Sequence, residues 1–405
     1  MSSYQVPNLL VPSPFRQLDA LLNGVEPGAQ PIINMSIGAP QHALPGFVAE
    51  ELARDLEPLS HYPAIMGTAD FRQAIADWAR VRYDLGDQIR PDHTITLNGS
   101  REGLFYAAFL AKDIAQKQDP VIIVPNPCYP TYIGAAKAAG CRIVTLPDTP
   151  DGLNLPSAVS TDDLDHAVAV YFHSPSNPQG AVATREMWHD WIEAARHHKF
   201  FLYADECYSE LYRDKAPLGA LQVALEMGGE NPYERVVVLN SLSKRSNMPG
   251  VRAGFMLGDA GFITAFTAFR NVSGPQMPVP IQRVAIRALS DETHVAENRK
   301  LYNAKFDLVK QHLGIEPPEA GFFLWQDVGD MGGEAAAKTL WREAGIKSVP
   351  GAYLSYSETP GMPQPSDRFL RLAFVSEDLE TTAEACRRIA KALPHICGPG
   401  AGGGS

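Results

Sequence analysis

Between residues 94 and 257 the chain alternates short apolar runs with longer stretches of helical period, and this alternation restricts the fold more than any other feature. Seven runs have the length of strands: Thr94–Leu97, Val121–Val124, Arg142–Leu146, Val168–Phe172, Phe200–Ala204, Val236–Asn240 and Ala253–Leu257. Several are apolar at consecutive positions, as strands buried on both faces are. Helical stretches such as Ser100–Gln118 and Thr184–His198 separate them. The expectation is an α/β fold: a large doubly wound domain with a seven-stranded, mostly parallel sheet.

After Phe262–Val279 the pattern changes. Glu292–Leu313 reads as a helix with Val295, Tyr302, Phe306, Val309 and Leu313 on one face. Two further strand-like segments, GFFLWQDV and FLRLAFV, follow. The expected division is a large domain over 46–279 and a smaller α+β domain over 280–395, which the segment 1–45 joins. Residues 396–405, ending in GPGAGGGS, read as a flexible tail. With 405 residues, 45% of them hydrophobic, the chain can bury cores of this size.

Composition removes several function classes. A net charge of −11 argues against a general nucleic-acid binder. No stretch approaches about 18 uninterrupted apolar residues, and the N-terminus lacks the pattern of a signal peptide. The five cysteines are scattered and form no C-x-x-C pair, which favours free thiols in a reducing cytoplasm over disulfides or zinc. His197 and His198 end a solvated helix and suggest no metal site, while Trp188 and Trp191 are spaced for packing.

Four motifs follow strands. Ser241-Leu242-Ser243-Lys244, with Arg252 eight residues beyond the lysine, places an amine where a buried strand opens into a loop. Desolvation there would lower the lysine pKa and free it to form a Schiff base. The serines and Arg252 suit a phosphate dianion. Asp205-Glu206-Cys207-Tyr208 puts an acid at the sheet edge where α/β ligands bind. Asp205 could pair with a protonated pyridine nitrogen, and Tyr208 with a ring oxygen. Ser174-Pro175-Ser176-Asn177-Pro178-Gln179-Gly180 is a rigid turn that offers the Asn177 amide. In Asn98-Gly99-Ser100-Arg101, Ser100 could cap a helix whose N-terminus also binds an anion. Taken singly, each motif also reads as an ordinary loop, cap or turn. No G-x-G-x-x-G or Walker loop occurs.

Together and in this order the motifs resemble the fold-type I pyridoxal-phosphate enzymes, specifically the class I/II aminotransferases, over roughly residues 30–395. The resemblance implies pyridoxal 5'-phosphate held by Lys244, with Asp205 on its ring nitrogen and Asn177 and Tyr208 on its ring oxygen. It also implies Ser100, Arg101 (through its backbone N–H), Ser241, Ser243 and Arg252 on the phosphate, and Tyr129 stacked on the ring. Ile37, Gly38 and Arg371, with Asn177, would clamp the substrate carboxylate. Tyr62 would reach the phosphate of a neighbouring subunit, which implies a homodimer. Amino-acid and keto-acid substrates follow, with no nucleic-acid or membrane partner.

Within the family, S-L-S-K-R-S-N-x-P-G-x-R-x-G-F and the spacing Arg270…Gly274…Met277 are most similar to the N-succinyl-diaminopimelate aminotransferases of lysine biosynthesis. That group carries R-T-Y-H-G where this chain has Arg270-Asn271-Val272-Ser273-Gly274. An aspartate or broad-range aminotransferase is the alternative. The same fold also hosts C–S lyases, decarboxylases and acyltransferases. An arginine at 371 favours chemistry that retains the carboxylate. A non-enzymatic regulator would need a DNA-binding domain, for which the residues before the first motif are too few.

Overall fold

The computed structural model describes residues 12–274, 276–357, 362–376 and 378–398. Its centre is a seven-stranded sheet in the order Thr94–Leu97, Gly254–Gly258, Val236–Ser241, Phe201–Asp205, Ala167–His173, Val121–Val124, Arg142–Thr145. Six strands run in one direction and Gly254–Gly258 runs against both neighbours. All seven expected strands are present, each shifted by a residue at most at either end.

The consecutive apolar residues have a direct structural reason. Along Ala167–His173, Val170 and Phe172 enter a core with Trp188 and Trp191, while Ala169 and Tyr171 enter another with Leu104 and Ala107. In Val236–Ser241, Val236 and Val238 face the first core, and Val237 and Leu239 the second. Side chains alternate across a strand, so a sheet covered on both faces needs apolar residues at every position. Helices Arg185–His198 and Ser100–Ala115 provide the two covers. Thr184 caps the former through Met187 N.

A second core gathers around helix Thr293–Leu313, where Phe306, Val309 and Leu313 meet Leu324, Leu370, Leu372 and Ile389. Its sheet is antiparallel, with Phe369–Ala373 between Val349–Pro350 and Phe323–Asp327. Ile33–Asn34 pairs in parallel with Ile346–Lys347, which attaches the N-terminal segment to this core.

Two expected boundaries move. Val284, Ala285, Ala288 and Leu289 of helix Val279–Leu289 belong to the core of the large sheet, so that unit continues past 279. At the other end Ile396 is buried and Gly398 N donates to Leu313 O at 2.8 Å, so 396–398 pack against the second core. The remainder of the expected tail, 399–405, lies outside the described residues.

Candidate active site

Six parallel strands and one reversed strand bring every motif to a single edge of the sheet. Asn98–Arg101, Pro125–Tyr129, Ser174–Asn177, Asp205–Tyr208 and Ser241–Lys244 follow the carboxyl ends of parallel strands, and Arg252 precedes the reversed one. Ligands of open α/β sheets bind outside this edge.

Lys244 stands in one helical turn, Leu242–Arg245, rather than in an open loop. It is half-buried, and its Nζ donates to Gly38 O at 2.5 Å. Gly38 has to be glycine, because a Cβ there would enter the Phe323 ring. The Tyr208 and Phe322 rings lie 6.0 and 5.2 Å from Lys244 Nζ. Burial lowers the ammonium pKa to about 8, and the guanidinium groups of Arg371, Arg101 and Arg252 push in the same direction.

Asp205 ends its strand and is buried. Its Oδ2 accepts the Tyr132 hydroxyl at 2.6 Å and its Oδ1 accepts Cys207 N at 3.2 Å. Burial raises the carboxyl pKa, and these two donors act against that rise. The turn that follows is anchored by Glu206, which accepts Tyr83 OH at 2.6 Å and Ala220 N at 2.8 Å. Tyr208 is half-buried against Phe322 and Phe323.

Gly99 takes φ +83° at the entry to helix Ser100–Ala115, and a Cβ there would collide with the Arg252 guanidinium. The cap position is therefore Gly99, and Ser100, expected as the cap, is the first helical residue. Its Oγ accepts from Cys207 Sγ at 3.1 Å. Arg252 is exposed and holds Pro249 O at 2.8 Å and Asn98 O at 3.2 Å. Ser241 Oγ donates to Ser243 Oγ at 2.8 Å. A helix N-terminus, two serine hydroxyls and a guanidinium thus surround one spot, a donor set that fits a phosphate.

Arg371, on strand Phe369–Ala373, is buried and lies 4.4 Å from the Phe323 ring centre. It donates to Ser36 O at 3.0 Å and to Asn177 Oδ1 at 3.5 Å, and burial lowers its pKa to about 10. Its Nε hydrogen-bonds nothing among the described residues. An unsatisfied buried guanidinium nitrogen calls for an acceptor such as a carboxylate. Tyr129 precedes helix Pro130–Ala138, and its hydroxyl accepts Arg101 Nε at 2.5 Å.

Of the residues expected in the site, Ile37 is 43% exposed beside Gly38, and Tyr62 is 97% exposed. The others converge on Lys244. Tyr132 was missed by sequence reasoning, because its pairing with Asp205 spans 73 positions and no local motif marks it. The residues fit pyridoxal phosphate: an amine of lowered pKa, a buried acid for the ring nitrogen, and the phosphate donors are each in place.

The comparisons agree. Residues 30–389 match the family model for aminotransferase class I and II. The LL-diaminopimelate aminotransferase of Maridesulfovibrio salexigens is 29% identical over 94% of this chain and 97% of its own length. A crystal structure of an aminotransferase from Neisseria meningitidis superposes with a TM-score of 0.87 at 33% identity, covering 95% of this chain and 98% of that one. A probable N-succinyldiaminopimelate aminotransferase from Thermus thermophilus gives 0.79 at 26% identity over 94% and 100%. From the convergence on Lys244 and these matches, the chain belongs to the class I and II aminotransferases and depends on pyridoxal phosphate.

Proposed function

We propose that this aminotransferase moves an amino group between glutamate/2-oxoglutarate and a diaminopimelate-type amino acid, N-succinyl-LL-2,6-diaminopimelate before others. The observation that carries this reading is the charge of the site. Three guanidinium groups, from Arg101, Arg252 and Arg371, act on Lys244. One phosphate and one α-carboxylate account for two of them, so a substrate with a second, remote acid group is favoured. Relatives named for LL-diaminopimelate and for N-succinyldiaminopimelate support the same substrate class.

The proposed roles follow from position. The cofactor, when bound, supplies the electron sink for the bond broken at the substrate Cα. Asp205 holds the ring nitrogen, with Tyr132 and Cys207 N keeping its carboxylate in place. Ser100, Arg101 N, Ser241, Ser243 and Arg252 hold the phosphate, and Tyr129 covers the ring. Asn177 and Tyr208 hold the ring oxygen. Arg371 grips the α-carboxylate beside Ile37 and Gly38. Lys244 Nζ, once free, takes the proton from the substrate Cα as general base. We also propose that the enzyme works as a homodimer in the cytoplasm; its five free cysteines suit a reducing compartment.

A kcat/KM panel with 2-oxoglutarate as acceptor tests the substrate. It should contain N-succinyl-LL-2,6-diaminopimelate, LL-diaminopimelate, aspartate, alanine and phenylalanine. The succinylated substrate should lead, and alanine and phenylalanine should trail it by at least about tenfold, since a site built for a second carboxylate rejects analogues that lack it. A lead for LL-diaminopimelate moves the assignment to the free diamine. A lead for aspartate replaces it with an aspartate aminotransferase.

A further inference from the structure

From the contacts of His42 we infer that this histidine is a positioning residue for the reaction: it fixes the segment 36–42, whose carbonyls hold Arg371 and Lys244. This rests on the reading that Arg371 grips the substrate α-carboxylate and that Lys244 takes the Cα proton. Segment 36–42 is neither helix nor strand, so its place depends on what it is tied to. Ser36 O accepts Arg371 Nη2 at 3.0 Å, and Gly38 O accepts Lys244 Nζ at 2.5 Å. On the amino side the segment is pinned by Met35, whose O accepts Ala373 N at 2.8 Å. On the carboxyl side Gln41 N donates to Val375 O at 3.1 Å, and His42 supplies the remaining ties.

The half-buried imidazole is bonded at both nitrogens. Lys305, buried on helix Thr293–Leu313, donates from Nζ to His42 Nε2 at 2.5 Å. It also donates to Phe374 O at 3.4 Å, one residue beyond the strand of Arg371. An ammonium has no lone pair to accept with, so Nε2 is bare and the proton sits on Nδ1. Nδ1–H then donates to Asn298 Oδ1, two turns earlier on the same helix. This leaves Asn298 Nδ2 to donate to Arg245 O at 3.5 Å, in the residue that follows Lys244. From the other side Asn247, buried three residues past Lys244, donates from Nδ2 to His42 O and, at 3.3 Å, to Ala43 O. The Tyr302 ring lies 4.4 Å from the imidazole and completes its surroundings. Burial and the Lys305 ammonium lower the imidazole pKa to about 4, so the ring is neutral and its donor and acceptor ends stay as assigned. Partly buried polar groups cost desolvation, and a set bonded in one direction fixes a single geometry in return. Here that geometry joins the Lys244 turn, the Arg371 strand and the segment between them.

The test uses the holoenzyme and butyrate, a carboxylate that does not react. Its dissociation constant is read by titration calorimetry for wild type, His42→Phe, His42→Gln and Arg371→Gln. Cofactor affinity and melting temperature are measured alongside. His42→Phe keeps a ring against Tyr302 and removes both side-chain bonds. It should weaken butyrate by about tenfold, as one misaligned bond to a guanidinium would, with cofactor affinity changed by less than about twofold. With glutamate, the Cα-deuterium isotope effect on the saturated half-reaction should rise, because a displaced lysine slows proton transfer relative to the other steps. His42→Gln, which offers one acceptor and one donor, should restore part of both. If His42→Phe does not fold, Asn298→Leu, which removes only the second bond, should show the same changes at smaller size. An unchanged butyrate affinity and isotope effect, or losses that only follow melting temperature and cofactor affinity, overturn the inference while the clamp reading stands. Butyrate binding that Arg371→Gln leaves intact overturns the clamp reading itself.

Discussion

At the scale of single residues, the chemistry depends on Lys244 being an amine while its neighbours stay charged. Moving its pKa from 10.5 to about 8 raises the neutral fraction at pH 7 by about 300-fold. Depression of the pKa means the amine form dominates above about 8 and the ammonium below it. The apoenzyme should therefore couple pyridoxal phosphate at a rate that rises with pH through about 8 and then levels off, as followed by stopped-flow absorbance. A rate still climbing above pH 9 would place the lysine in an ordinary solvated setting. Burial disfavours the charge of Asp205 too and raises its pKa, and the bonds from Tyr132 and Cys207 N act against that rise.

At the scale of elements, tyrosines on different helices and strands tie the two ends of the cofactor site together. Tyr132, on helix Pro130–Ala138, stacks on Tyr171 at 4.6 Å. Tyr171 OH in turn donates to Leu104 O, and Tyr203 OH to Ala107 O at 2.8 Å, both on the helix that begins at Ser100. Tyr132→Phe keeps the stacking and removes one bond to a carboxylate, worth about 1.5–3 kcal/mol. The expected result is a half-reaction at least about tenfold slower, with cofactor affinity little changed and the cofactor's ¹⁵N ring signal displaced toward neutral pyridine. An unaltered signal would show that Tyr132 only fills space. The strands were legible because burial on both faces writes itself into consecutive apolar residues. The Ser100 cap was misread because Asn98-Gly99-Ser100 allows a cap at either residue, and the φ of +83° that favours glycine at 99, close against the Arg252 guanidinium, is set by the fold and not by the local sequence. Tyr132 and the Arg101–Tyr129 bond were hidden for the same reason.

At the scale of the whole molecule, the order of motifs along the chain was legible, and their convergence followed from sheet topology. The domain boundary was not, since helix Val279–Leu289 carries no local sign of which core it joins. Tyr62 is 97% exposed, and Leu44, Leu56 and Leu59 nearby are each more than half exposed. Such apolar residues on one stretch suit burial by a second copy of the chain. Light scattering should give a dimer at assay concentration. Tyr62→Ala should leave the fold intact by circular dichroism and raise the cofactor dissociation constant by about tenfold, as loss of one hydrogen bond to a charged phosphate would. An active monomer would contradict this arrangement.

Every role assigned to the site turns on Lys244 as the residue that holds pyridoxal phosphate. Borohydride reduction of the holoenzyme followed by peptide mapping tests this directly. A single reduced cofactor adduct should appear on the peptide containing Ser241-Leu242-Ser243-Lys244, and should be absent from Lys244→Ala. An adduct on any other lysine of the wild-type protein would contradict it.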